Sequence, residues 1–169
     1  MSAKFKVIGP IEIPTTTKRA GVSIIEKQNI DSFLAKYQEL MECKGCYIFT
    51  IRVTSGILPF YVGKATKNFR QEIFTPHKTE KYNSALLEYA AKYKPQMFFL
   101  AYNKKTKGKD NLKAISALEK FLTLLAEARN PKLKNEKNLK EEDKFEIEGL
   151  KSQGKPSKEV SAFKKAIGI

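Results

Sequence analysis

The sequence predicts an α+β fold, in which a small antiparallel sheet carries flanking helices. Short segments rich in β-branched and aromatic residues indicate strands, and they are interspersed with amphipathic stretches at helical spacing. The 169 residues are 41% hydrophobic and 30% charged, which is an ordinary globular composition. The sequence contains no internal repeat and no low-complexity tract. We therefore expect one domain with modest appendages.

The first half of the chain predicts strands before and after a helix. "KFKVI" and "IEI" are interpreted as two short strands separated by Gly9-Pro10. Asp31 is a candidate N-cap for a helix that follows it. "CYIFTIRV" and "LPFYVG" flank a turn at Thr54-Ser55-Gly56, so residues 45–63 predict a β-hairpin.

The second half predicts helices around a third strand. "TKNFRQEIF" is a short helix, and Thr75-Pro76 begins another that runs to about Tyr93. "PQMFFLAY" is the third strand, and it is followed by a basic loop at 104–109. The pattern predicts a long helix over 110–129, ended by Asn130-Pro131, and a short closing helix in "SKEVSAFKKAI".

The charge of the chain points to a polyanionic partner. Lys and Arg number 32 against 18 Asp and Glu, which gives a net charge of +14. Such a surplus favours nucleic acid over a membrane surface. No apolar run approaches the ~18 residues of a membrane span, and the first residues lack a secretory signal. We therefore expect a cytoplasmic protein with no membrane partner. The alternative to a nucleic-acid partner is that the positive charge only keeps the protein soluble.

The two cysteines have Cys-x-x-Cys spacing, at Cys43 and Cys46. A structural zinc site usually needs four Cys or His ligands, and His77 is the only histidine. A redox pair of the thioredoxin type would sit near a βαβ pattern, whereas Cys46 opens a predicted hairpin strand. We interpret Cys46 as a small buried hydrophobic residue.

Two tripeptides lie on the arms of the predicted hairpin: "GCY" at 45–47 and "YVG" at 61–63. The pattern resembles the GIY-YIG nuclease family, whose name records these tripeptides. The resemblance continues through "YVGKA" at 61–65 and further matching positions, which are Arg70, Glu119, Asn130-Pro131 and Asn135. It implies a nuclease domain at 45–135, with an N-terminal extension at 1–44. Residues 136–169 remain as a charged linker and a short C-terminal helix.

The resemblance implies roles for the hairpin residues. Tyr47 assists the attacking water, and Tyr61 and Lys64 support it by orienting groups and steadying the phosphate. The alternative for both tyrosines is an ordinary place in a sheet, where aromatic residues are common.

The resemblance also implies a phosphate clamp after the hairpin. Arg70 is the candidate, because a guanidinium forks onto two phosphate oxygens and stays charged. Its spacing from the second tripeptide is shorter than in the excision-repair members, so Lys67 or Lys78 could take its place. His77 begins the following helix, where a phosphate can also bind.

Glu119 is the implied metal ligand. It lies at the edge of the apolar face of the long predicted helix, where a carboxylate is costly unless it binds a cation or an ion-pair partner. The resemblance implies one Mg²⁺ or Mn²⁺ ion per site, completed by waters. A structural pair with Lys or Arg is the alternative. Asn135 is a candidate supporting residue near the site.

The resemblance thus implies a metal-dependent endonuclease that hydrolyses phosphodiester bonds in DNA, of the restriction, mobile-element or repair type. The basic loop and the tail lysines would add nonspecific affinity; the tail lysines are Lys132, Lys134, Lys137 and Lys140. Two alternatives stay open: a nucleic-acid-binding domain without catalysis, and a basic RNA-associated protein.

Overall fold

The computed structural model describes residues 3–103, 110–135, 145–150 and 156–169. In chain order its elements are β1 (Ala3–Glu12), β2 (Thr16–Thr17), β3 (Ser23–Ile24), α1 (Lys27–Lys36), α2 (Gln38–Met41), β4 (Gly45–Val53), β5 (Gly56–Ala65), α3 (Phe69–Glu72), α4 (Pro76–Leu86), β6 (Lys94–Asn103), α5 (Leu112–Arg129), β7 (Phe145–Ile147) and α6 (Lys158–Ile167).

The main sheet has five strands in the order β5-β4-β6-β1-β7. The strands β5, β4, β6 and β1 pair antiparallel with one another in that order, and β7 runs parallel to β1 at the edge. A second sheet contains only β2 and β3. This architecture confirms the predicted α+β class and the predicted hairpin. Of the helices in the described part of the chain, none has the length and apolar character that crossing a bilayer would need.

Two apolar cores lie on opposite faces of the main sheet, because side chains alternate along a strand. We call one the tyrosine face; it carries Tyr47 and Phe49 and packs against α1, α3 and α4 through Phe33, Phe69 and Tyr82. We call the other the α5 face; it carries Cys46 and Ile48 and packs against α5 and α6 through Ile115, Leu118, Leu122 and Phe163. Both β1 and α6 contribute to the second core, so the two ends of the chain are built into the same fold as the hairpin.

Three details differ from the predicted elements. The two N-terminal strands are one strand, since β1 pairs with β6 on both sides of a bulge at Gly9-Pro10. Helix α1 begins at Lys27, because Glu26 and Asn29 cap it reciprocally, and Asp31 lies inside it. Helix α4 ends at Leu86 rather than near Tyr93. The basic loop 104–109 and the tail lysines 137 and 140 lie outside the described residues.

Candidate functional site

The hairpin divides the candidate residues between the two faces of the sheet. Its register pairs Tyr47 with Gly63 and Cys46 with Lys64. Directly paired residues point to the same side, and successive residues point to opposite sides. Tyr47 therefore lies on the tyrosine face together with Tyr61, while Lys64 lies on the α5 face.

Tyr47 is fully buried on the tyrosine face. Its ring centre lies 6.3 Å from that of Tyr61 and 6.3 Å from that of Phe69. Among the described residues no hydrogen bond of good geometry reaches its hydroxyl, although the hydroxyl of Tyr82 lies close enough to interact with it. Burial raises the pKa of Tyr47 above its usual value, and the neighbouring Tyr82, Tyr61 and Glu72 raise it further. The phenol is protonated at neutral pH and can donate a hydrogen bond, and the raised pKa of Tyr47 disfavours the phenolate that would act as a base.

Tyr61 is half-buried and lies nearer the surface than Tyr47. The Lys81 ammonium lies 5.6 Å from its ring centre, within the range of a cation–π contact. Tyr82 packs edge-on against Tyr61 at 5.8 Å and stacks on Phe49 at 4.3 Å. The hydroxyl of Tyr82 donates to the carbonyl of Ile73 at 2.8 Å, so this third tyrosine has a structural role.

Lys78 and Glu72 complete the cluster on the tyrosine face, and sequence reasoning did not connect them. The Lys78 ammonium donates to the Glu72 carbonyl and to its Oε2, both at 2.8 Å. It also lies 5.6 Å from the ring centre of Tyr47. Only 15% of the Lys78 side chain is exposed, which is rare for lysine. The pair joins α3 to α4 across a short connection, so no helical or strand period could have indicated it.

Arg70 and His77 are both exposed. Arg70 contacts Glu42 and not the tyrosines or Lys78. Arg70 Nε contacts Glu42 Oε1 at 2.8 Å, and Asn68 binds the other oxygen of the same carboxylate. His77 is the second residue of α4. Arg70 is therefore held at the surface by α2's C-cap residue Glu42, whereas the lysine beside the tyrosines is Lys78.

Glu119 forms an ion pair with Lys64 on the α5 face. The Lys64 ammonium lies 2.7 Å from Glu119 Oε2, and the carboxylate side chain is 24% exposed. The structural pair considered for Glu119 is thus present. The other carboxylate oxygen of Glu119, Oε1, does not take part in this ion pair. Proteins usually bind Mg²⁺ through one or two carboxylates, so a single glutamate can be sufficient. A metal ion at Glu119 would have one carboxylate oxygen to bind and would lie beside the Lys64 ammonium, which opposes it.

A metal site built from several ligands, or a reactive cysteine pair, would place its own requirements on the described residues. Within the described ranges, no group of three or more His, Cys, Asp and Glu side chains is placed to hold a metal ion. Cys43 and Cys46 are free thiols. Cys46 is buried, and its thiol donates to the carbonyl of Ile115 at 3.3 Å. Burial and the charge of Glu119 raise the pKa of the Cys46 thiol, which makes it a poor nucleophile.

Packing alone explains the glycines of both tripeptides. Gly45 has φ +146°, and a Cβ there would lie 2.0 Å from the carbonyl oxygen of Leu100 on β6. Gly63 faces Tyr47, and a Cβ there would lie 2.4 Å from both Cζ and the hydroxyl oxygen of that ring. The second tripeptide therefore supplies the space that the tyrosine of the first one fills.

Asn135 belongs to a segment that covers the outer edge of β5. Its side-chain amide accepts from the Val62 N–H at 2.8 Å and donates to the Val62 carbonyl at 2.6 Å, as a neighbouring strand would. Lys134 N–H donates to the Phe60 carbonyl, and the Asn130 amide donates to that of Pro59. The segment protects an exposed strand edge and ties the end of α5 to the hairpin.

We expect Asn135→Ala to lower the free energy of unfolding by about 1–3 kcal/mol, because two backbone groups of the buried Val62 lose their partners. Urea unfolding followed by circular dichroism measures the change. Asn103→Ala is the matched control, since Asn103 makes one long, exposed bond to Glu148 at 3.4 Å. Equal effects of the two substitutions would contradict the assigned role of Asn135.

Comparisons of the chain with protein-family models, curated proteins and solved structures find no match. The fold and the site define the chain as an α+β protein with tyrosines and lysines clustered on one sheet face and an acid–lysine pair on the other.

Proposed function

We propose that this chain is a metal-dependent endonuclease that binds DNA and hydrolyses its phosphodiester bonds. The observation that carries the proposal is the pairing of Tyr47 with Tyr61 on one face, with the ammonium groups of Lys78 and Lys81 each 5.6 Å from one of the two rings. Phenols that donate hydrogen bonds beside fixed cations suit a charged phosphate and the water that attacks it. The resemblance of the hairpin to GIY-YIG nucleases and the net charge of +14 support the same substrate.

The residues act in the following way under this proposal. The half-buried Tyr61 orients the attacking water, and Tyr47 donates a hydrogen bond from its neutral phenol. The lysines of α4 balance the charge of the phosphate. Glu119 would hold Mg²⁺ or Mn²⁺ through its carboxylate on the α5 face, and that ion would supply charge stabilisation to a bound phosphodiester. Lys64 holds Glu119 in place through the ion pair at 2.7 Å.

We expect Glu119→Ala to lower the cleavage rate about 100-fold or more, because a bound metal contributes several kcal/mol of transition-state stabilisation. The assay incubates purified protein with supercoiled plasmid and, in parallel, with RNA, in Mg²⁺ or in EDTA. Glu127→Ala is the control, as it removes another half-buried carboxylate from the same helix, and it should cut at the wild-type rate. EDTA should stop cleavage by the wild type.

A second candidate function is DNA binding without cleavage. It is favoured by the position of Glu119 on the face opposite the tyrosines and by the burial of the Tyr47 hydroxyl. The same assay separates the two functions. A wild type that retards DNA in a gel yet cuts neither substrate overturns the endonuclease and supports the binding domain. Cleavage by Glu119→Ala at the wild-type rate overturns the role of Glu119.

A further inference from the structure

Two hydrogen-bond donors converge on the tyrosine face. The Tyr47 hydroxyl is buried and makes no hydrogen bond of good geometry with a described residue, although a buried polar group normally has a partner. The Lys78 ammonium lies beside the same ring, and Glu72 accepts two of its three donors. Both groups therefore have donor capacity to spare.

A pair of donors of this kind is complementary to an oxyanion. The phenol is neutral at physiological pH, and burial together with Tyr82 and Tyr61 raises the pKa of Tyr47 further, so its O–H is available to donate. The ammonium supplies positive charge and a second donor. A phosphate oxygen takes hydrogen bonds from both kinds of group, and such charge-assisted bonds are stronger than neutral ones.

We propose that Lys78 and the Tyr47 hydroxyl form an oxyanion site that binds one phosphate group of a polynucleotide backbone, a task for which the sequence offered Arg70 first and Lys67 or Lys78 as substitutes. Arg70 has its Nε on Glu42 and is exposed, whereas Lys78 contacts the tyrosine that both tripeptides position. The inference deepens the proposed function and rests on nucleic acid as the substrate.

In this proposal a movement of the Lys78 side chain, which lies 5.6 Å from the ring centre of Tyr47, opens the phenol to the phosphate. One side of the Tyr47 hydroxyl is closed by the backbone of Gly63, which cannot move without disturbing β5. Lys78 has a flexible four-carbon stem and contacts Tyr47 from α4. Phosphate then replaces Glu72 as an acceptor for the ammonium while the phenol donates to the same group.

Tyr47→Phe is the sharpest test, because it removes only the hydroxyl oxygen, for which the described residues offer no hydrogen bond of good geometry. A merely structural Tyr47 predicts that this variant is as stable as the wild type or more stable, and that it binds DNA equally well. The oxyanion site predicts the same stability but an affinity for DNA that is about tenfold or more weaker. Thermal unfolding and DNA affinity are therefore measured on the same preparation.

Lys78→Met removes the ammonium, and Lys36→Met is its matched control. Lys36 also places its ammonium over a tyrosine, at 5.4 Å from the ring centre of Tyr37, and the substitution removes the same charge. Affinity is measured by fluorescence anisotropy of a labelled duplex in EDTA, so that cleavage does not enter. We expect Lys78→Met to weaken binding about tenfold or more, and Lys36→Met about twofold at most.

Inorganic phosphate is the second probe, followed by tyrosine fluorescence, which is observable because the chain has no tryptophan. A backbone site predicts weak binding of free phosphate and tight binding of the duplex. If free phosphate and the duplex bind with equal affinity, the site does not recognise a polynucleotide, and free phosphate is its ligand. Failure of the wild type to bind either probe would overturn the site.

The outcomes separate this site from the proposed function. If Tyr47→Phe and Lys78→Met bind the duplex as Lys36→Met does, the oxyanion site is wrong, whether or not the wild type cuts DNA. If both variants lose affinity and the wild type cuts nothing in Mg²⁺, the site is supported and the endonuclease is wrong.

Discussion

Gly45→Ala is expected to lower the free energy of unfolding by about 3–5 kcal/mol, through both backbone strain and overpacking. Gly45 begins β4 with φ +146°, a conformation that L side chains rarely adopt. A Cβ would also lie 2.0 Å from the carbonyl oxygen of Leu100 and 3.2 Å from the N–H of Tyr102. These are backbone atoms of β6, paired with β4 in the centre of the sheet, so they cannot move aside cheaply.

Gly56→Ala separates the two causes of this loss. Gly56 has φ +130° at the hairpin turn, and a Cβ there would meet no atom within 4 Å. It should therefore cost only the backbone strain, about 1–2 kcal/mol. Thermal and urea unfolding of the three proteins measure the difference. Equal losses for Gly45→Ala and Gly56→Ala would show that the approach of β6 does not explain the first glycine of "GCY".

The hairpin could be predicted from the sequence because its signals are local. β-branched and aromatic residues fill both arms, and Thr54-Ser55-Gly56 marks the turn. The closing helix was equally clear: α6 begins after the N-cap Ser157 and ends at Gly168 with φ +78°. In each case the residue types that define the element lie within the element itself.

The separation of Lys64 from Tyr61 was also within reach of the sequence. Residues three apart in a strand point to opposite faces, so these two side chains could not share one. The edge position of Glu119 on its helix was anticipated, and its partner proved to be Lys64. The alternation of side chains along β5 therefore predicts that Tyr61 and Lys64 lie on opposite faces of the sheet.

Other features depended on contacts between distant parts of the chain. The helix after Thr75-Pro76 ends early, and the tyrosines beyond it pack against the hairpin: Tyr89 lies edge-on to Phe60 at 5.5 Å, and the Tyr93 hydroxyl bonds Thr54 at 3.2 Å. The Glu72–Lys78 pair depends on the angle between two helices, which no local pattern specifies. Tertiary packing therefore decided what propensity left open.

The fit between the two tripeptides predicts that Gly63→Ala destabilises the protein by about 1–3 kcal/mol, and that the loss depends on residue 47. The new Cβ would lie 2.4 Å from both Cζ and the hydroxyl oxygen of Tyr47 and 2.9 Å from Cε1. The ring is held by Phe69 and Tyr61 on the same face, so it has little freedom to retreat.

A graded series at residue 47 measures this dependence. In a Tyr47→Phe background one of the two closest contacts is absent, so Gly63→Ala should cost less than in the wild type. In a Tyr47→Leu background both are absent, and alanine should be neutral or stabilising by up to about 1 kcal/mol, since it restricts the unfolded chain more than glycine does. Double-mutant cycles from urea unfolding give the coupling free energy at each step. A cost of Gly63→Ala that is the same in all three backgrounds would show that the glycine of "YVG" does not accommodate the tyrosine of "GCY". A cost that falls from tyrosine to phenylalanine to leucine would establish that these tripeptides are conformationally coupled, whatever chemistry the tyrosines perform.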